Sequence, residues 1–174
     1  MGALRFFILL FFSVSISSAQ EYSTILWRAQ DKLTWKDFKA KVPVPSRAAA
    51  TTASGVTYKY SAQRMSGELK VSFTVSTYFY PEKSWYNPSL CDSLILSHEQ
   101  LHFDISELYA RKLKRKLDIT TFKHSSLKNE VKSIYKAVMK ELNNYQNLYD
   151  KETNFSRNIE EQLRWNKKIR EALR

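Results

Sequence analysis

One cysteine in 174 residues cannot close an internal disulfide, so the folded state has to be held by packing or by a bound metal. With only 3 Gly and 4 Pro, collagenous and Gly- or Pro-rich low-complexity architectures are excluded, and there is no Gly-rich loop to cradle a phosphate. Acidic side chains are the scarcer sign of charge: 17 Asp plus Glu stand against 28 Lys plus Arg, a formal surplus of +11. Such a surplus favours anionic partners, whether nucleic acid, acidic lipid or cell-envelope polymer, without choosing among them. No apolar run reaches the roughly 20 residues that a membrane span requires. The longest, Phe6 to Phe12, follows Arg5 and leads through Ser13 to Ser18 into Ala19, the charged, apolar and small-residue zones of an export signal over residues 1–19. Cleavage after Ala19 removes a single charged side chain, Arg5, and leaves residues 20–174 basic and without a membrane span. Hydrophobic residues are plentiful, at 43%, and aromatics reach 14%, so these residues are expected to fold as one domain with a modest core.

Hydrophobic periodicity divides that domain in two. Short apolar and aromatic groups, Ser23 to Trp27 and Leu33, Trp35 and Phe38, predict a strand and a packed turn. The Ala/Thr/Ser stretch from Ala48 to Ser54 reads as an irregular connection. Val56, Tyr58 and Tyr60, then Leu69, Val71, Phe73, Val75, Thr77 and Phe79, recur at a period of two and predict an antiparallel hairpin turned near Ser66-Gly67. Pro81 and Pro88 bracket a loop carrying Trp85. From Leu90 the period becomes helical as far as about Leu117, again from Leu127 to Tyr149, and a third time from about Arg157 to Leu173. Strands followed by helices imply an α+β fold, a small N-terminal sheet packed on two long helices with a C-terminal helix added.

The first long helix contains His98-Glu99-Gln100-Leu101-His102. Histidines four residues apart lie roughly 40° from each other around a helix, so both imidazoles project from one face and can take adjacent corners of a Zn²⁺ tetrahedron. Glu99 stands about 100° away, beside the metal, where a general base takes a proton from a zinc-bound water whose pKa the metal lowers towards 7. With 3 His in the chain, chance would place this pattern roughly 0.003 times. A catalytic zinc wants a third protein ligand, and Asp104 and Glu107 point away from His98 on the same helix. His124 suits a capping or surface role. If the two long helices pack antiparallel, the end of the second returns to the start of the first, and Asp150 and Glu152 are the candidates. Glu152 continues the apolar stripe of Tyr145 and Tyr149, an odd place for an unpaired charge; Asp150 lies off that stripe.

Leu33-Thr34-Trp35-Lys36-Asp37-Phe38, Lys83-Ser84-Trp85, the run from His98 through Arg111, and Tyr149-Asp150-Lys151-Glu152-Thr153 with Gln162 and Trp165 resemble, in order, the family called domain of unknown function 922. The resemblance implies a secreted bacterial zinc-dependent protease. It also marks one departure: the family's pattern often carries a histidine two residues after the position of Thr153, and Phe155 stands there. Phenylalanine binds no zinc, so Asp150 or Glu152 serves instead, or zinc is held weakly by two histidines and water, or the position lies behind the ligands or faces the substrate.

Together these readings predict a monomeric, zincin-like α+β hydrolase in the periplasm or secreted, with Zn²⁺ on His98, His102 and Asp150 or Glu152, and with Glu99 catalytic in peptide-bond hydrolysis. An extended peptide or protein substrate is expected to pair with Val71 to Phe79 as an added strand. The alternative is a metal-binding or cell-envelope-binding module without turnover, for which the basic residues Arg111 to Lys116 would meet an anionic polymer. No nucleic-acid-binding motif accompanies the charge, and no nucleic-acid partner is expected.

Overall fold

The computed structural model describes residues 23–46, 48–65 and 68–174; the export signal expected over residues 1–19 and the turn expected near Ser66-Gly67 lie outside them. The period-two segments form the long hairpin of β3 (Ser54–Met65) and β4 (Glu68–Phe79), paired from Ser54 opposite Phe79 to Met65 opposite Glu68. Leu69, Val71, Phe73, Val75, Thr77 and Phe79 turn inward while Glu68, Lys70, Ser72 and Thr74 stay in solvent, the alternation a one-sided antiparallel sheet demands. A two-residue strand, β1 (Ile25–Leu26), pairs with the end of β4, giving the antiparallel order β1-β4-β3.

Two segments depart from the sequence expectation. The supposed irregular stretch contains β2 (Ala50–Thr51), and the Trp85 loop contains β5 (Trp85–Tyr86); they pair antiparallel in a separate ladder, Ala50 opposite Tyr86 and Thr51 opposite Trp85. Two residues a side are too few to show a period. The pairing joins positions more than thirty residues apart, so no local pattern announces it.

Three helices complete an α+β fold: α1 (Ser93–Ile119), α2 (Leu127–Glu152) and α3 (Ile159–Ala172). The Asp92 carboxylate accepts the Ile95 amide at 2.9 Å and starts α1 there, rather than at Leu90, by satisfying one of the amides that the first turn leaves open. Asn158 does the same for α3 through the Glu161 amide. α1 is the central element, packed against the hairpin and against both other helices. Leu101, Ile105, Leu113 and Leu117 share the main core with Val56 and Phe73 of the sheet and Val131, Val138 and Tyr149 of α2. A second cluster, Leu33, Phe38, Phe79 and Phe103, seals the N-terminal segment to the other side. That seal is also polar: Trp27 Nε1 donates to Asp104 at 2.7 Å, and the Leu33 amide donates to Gln100 Oε1 at 2.7 Å.

Among the described residues no helix is long and apolar enough to cross a membrane. The basic end of α1 is largely paired within the fold: Arg111 meets Glu107, Lys114 meets Asp118, and Lys112 and Lys116 both meet Glu141.

Leu113 is wholly buried on the core face of α1. Leu113→Ala is expected to lower the unfolding free energy by about 2–5 kcal/mol, read from the midpoint shift in urea denaturation.

Candidate metal centre

α1 and α2 run antiparallel, and the end of α2 returns to the first turns of α1. There His98 Nε2, His102 Nε2 and Asp150 Oδ1 form a triangle with edges of 3.2, 3.1 and 3.0 Å. Bonds of about 2.0–2.1 Å to a first-row divalent cation set neighbouring donor atoms roughly 3.0 Å apart in octahedral and 3.4 Å apart in tetrahedral coordination. The triangle falls within that range. The three residues could hold a metal ion.

Hydrogen bonds fix which nitrogen of each imidazole faces the triangle. His102 Nδ1 lies 2.7 Å from Gln146 Oε1, and the Gln146 amide nitrogen donates to Ser106 Oγ, which donates to the His102 carbonyl. His98 Nδ1 lies 2.9 Å from Gln162 Oε1, and the Gln162 amide nitrogen donates to Tyr149 Oη and to Asn166 Oδ1. An amide oxygen only accepts, so each Nδ1 carries a proton, and with no second proton on the ring an Nε2 lone pair turns inward. Tyr149 stacks on His98 at 4.5 Å between centroids and fixes the ring plane. These are the outer contacts that orient metal-binding histidines.

Electrostatics couple the three groups. Burial pushes against ionisation of Asp150, but the His102 and His98 imidazoles that face it outweigh burial and hold the carboxyl well below its ordinary range. Burial likewise opposes charge on His102, and the Asp150 hydrogen bond together with the Glu99 charge overcomes it, so the His102 pKa is raised. A proton on His102 and a cation within the triangle therefore compete for the same lone pair.

Glu99 lies beside the triangle and is almost fully buried, and its Oε2 has no hydrogen-bond partner. Its backbone carbonyl accepts from Thr52 Oγ1 at 3.1 Å, which ties the strand side of the site to α1. Glu99 shares with His98, His102 and Asp150 a cleft of about 800 Å³ whose far wall is Ala48–Thr52. A lone buried carboxylate oxygen next to three converging acceptors is the donor chemistry of a divalent cation and a water, and the residues fit that occupant.

Of the residues singled out from sequence, His98, Glu99, His102 and Asp150 come together, and Glu152 does not. The Glu152 carboxylate accepts from Trp165 Nε1 at 2.8 Å and pairs with Arg164. Glu152 continues the apolar stripe of α2, and beyond Tyr149 that stripe faces α3, where its charge is paired; Asp150, about 100° from Tyr149, turns to the histidines. His124 is exposed in the turn before α2. The segment Val71 to Phe79 does not line the cleft; the strand that does is β2. Gln146 and Gln162 escaped the sequence reading as orienting groups. Gln146 precedes Asp150 by one helical turn, a spacing that puts both on one face. Immediately after α2, Asn154, Phe155 and Ser156 all have positive φ, 47°, 53° and 72°, a left-handed conformation that costs about 1–2 kcal/mol at each non-glycine residue.

Residues 30–157 match the family described as bacterial protein of unknown function (DUF922). No curated protein and no solved structure matches the chain.

With Zn²⁺ as the probe ion and a chromophoric chelator as competitor, affinity is expected to fall as pH drops through the raised His102 value, because protonation of that ring blocks a donor. Asp150→Ala is expected to cost at least about 10-fold in affinity, and Glu152→Gln to leave it unchanged.

Proposed function

The chain belongs to the DUF922 family, and from the geometry of the candidate metal centre we propose that it is an exported, zincin-like hydrolase that uses Zn²⁺ to cleave peptide bonds. The observation that carries the reading is the buried Glu99 carboxylate, with an unpartnered oxygen, beside three converging donor atoms in a cleft of about 800 Å³. Two imidazole nitrogens and a carboxylate oxygen are a ligand set that Zn²⁺ accepts.

When bound, the ion lowers the pKa of a water molecule and polarises the scissile carbonyl. His98, His102 and Asp150 would hold it, and Gln162 and Gln146 would keep the two rings in the required tautomer. Glu99 would accept the proton of the attacking water and pass it to the departing amine as the C–N bond breaks, leaving a carboxylic acid and an amine. Burial of Glu99 suits this work, since few solvent dipoles compete for the proton. Tyr149, whose phenol burial pushes far above its ordinary pKa, would remain a neutral donor behind His98.

A second reading, a binding module for an anionic envelope polymer, is favoured by one observation. Lys128, Lys132, Lys136 and Lys140 recur at four-residue spacing along α2, all exposed, and none forms a salt bridge among the described residues. Like charges one turn apart repel, so the ladder costs helix stability unless an anion lies along it.

Glu99→Gln is expected to retain one zinc per chain by metal analysis and to lower hydrolysis of quenched fluorescent peptides by about 10²–10⁴-fold. Unchanged turnover in that variant refutes the mechanism. For the second reading, binding to an immobilised polyanion is expected to weaken steeply with added salt and to be lost when the four lysines become glutamine.

A further inference from the structure

α2 ends at Glu152, and the next turn is one that glycine normally makes. Here Asn154, Phe155 and Ser156 make it, all three with positive φ. Asparagine tolerates that conformation; phenylalanine and serine adopt it under strain. Strain of this kind persists where the surroundings force it, and it concentrates at sites that handle a ligand.

The surroundings are specific. The Phe155 amide donates to the Asp150 carbonyl at 2.9 Å, and the Asn158 amide donates to the Thr153 carbonyl at 2.8 Å. The turn is thus pinned to the same residue that faces His98 and His102. Ser156 is buried and anchors the loop, so that Phe155 and Arg157 on either side of it reach the cleft. Phe155 is 60% exposed and lines the cleft, so its ring is free to meet a ligand there. Arg157 is exposed and forms no salt bridge among the described residues; its one polar contact is a long 3.5 Å bond from Nη1 to the Asn154 carbonyl. The opposite wall, Ala48–Thr52, carries small side chains and leaves room for an extended chain between them.

From this arrangement we propose that the left-handed turn and Arg157 form the carboxylate-recognising wall of the cleft, with the Phe155 ring packing on the carbon skeleton next to that carboxylate. The substrate class is then a peptide bearing a carboxylate close to the cleaved bond. A guanidinium offers two parallel N–H donors that match a carboxylate, and it remains charged at any pH the protein meets. The carboxylate can come from a chain terminus or from an acidic side chain. The inference rests on the hydrolytic reading only in treating the bound peptide as substrate; the binding itself is a property of this wall.

Three probes separate the possibilities: N-acetyl-Ala-Phe with a free terminal carboxylate, the same peptide as its carboxamide, and N-acetyl-Asp-Phe-amide. Binding to the zinc-loaded protein is measured by calorimetry and repeated metal-free, which excludes coordination of the probe by the ion. At least one acidic probe is expected to bind about 10-fold tighter than the carboxamide in both states, and which one does so identifies the source. Arg157→Gln is expected to erase that ratio and Arg157→Lys to restore part of it. Phe155→Gly is expected to weaken all three probes alike while the melting temperature holds or rises, because glycine relieves the positive φ; a merely structural phenylalanine would do the opposite. Equal behaviour of the three probes, or a ratio that survives Arg157→Gln, overturns the proposal. Equal probes in a protein with one zinc and Glu99-dependent turnover remove this inference and leave the hydrolase, whereas a carboxylate preference in a protein that takes up no zinc does the reverse.

Discussion

Two imidazole lone pairs and a carboxylate oxygen meet within 3.2 Å of one another. Three acceptors so close repel unless something positive lies among them, and a half-buried setting weakens the solvent screening that would otherwise soften the repulsion. The fold nevertheless invests heavily in keeping them together. Two glutamine amides, each held in turn by Tyr149, Ser106 or Asn166, deny the rings the easy escape of flipping or changing tautomer. A protein does not usually build a network in order to preserve a repulsion. The arrangement makes sense as a receptor for positive charge, and the rest of the structure, an antiparallel helix pair braced by a third helix and closed by a short ladder, follows from holding those atoms still.

The hairpin and the helices were legible because their signal is local: alternation from Leu69 to Phe79 and steps of three and four along α1 and α2 need no knowledge of neighbours. His98 and His102 were legible for the same reason. The third acid was only half legible. Antiparallel packing correctly narrowed the search to the end of α2, yet the choice between Asp150 and Glu152 depended on where α3 lies, and α3 takes the stripe face through Trp165. The β2–β5 ladder and the left-handed turn were not legible at all. The first is short and joins distant positions, and the second contains no glycine to mark it.

Charge is distributed against the average. The chain is basic overall, but its cleft brings together two carboxylates, Glu99 and Asp150, and much of the positive charge at the end of α1 is neutralised by Glu107, Asp118 and Glu141. The ladder of Lys128, Lys132, Lys136 and Lys140 sits on α2, away from its buried stripe and without a salt bridge among the described residues. The molecule therefore offers two electrostatically different faces, and a net value computed from composition describes neither.

The orienting partner of His98 comes from α3, sixty-four positions further along the chain. Both histidines and Asp150 leave the ribosome before Gln162 does, so a nascent polypeptide passes through an interval in which its donor atoms exist but one ring is free to choose the wrong tautomer. Any ion capture that needs both rings in the right tautomer would thereby be deferred until translation has passed the final helix.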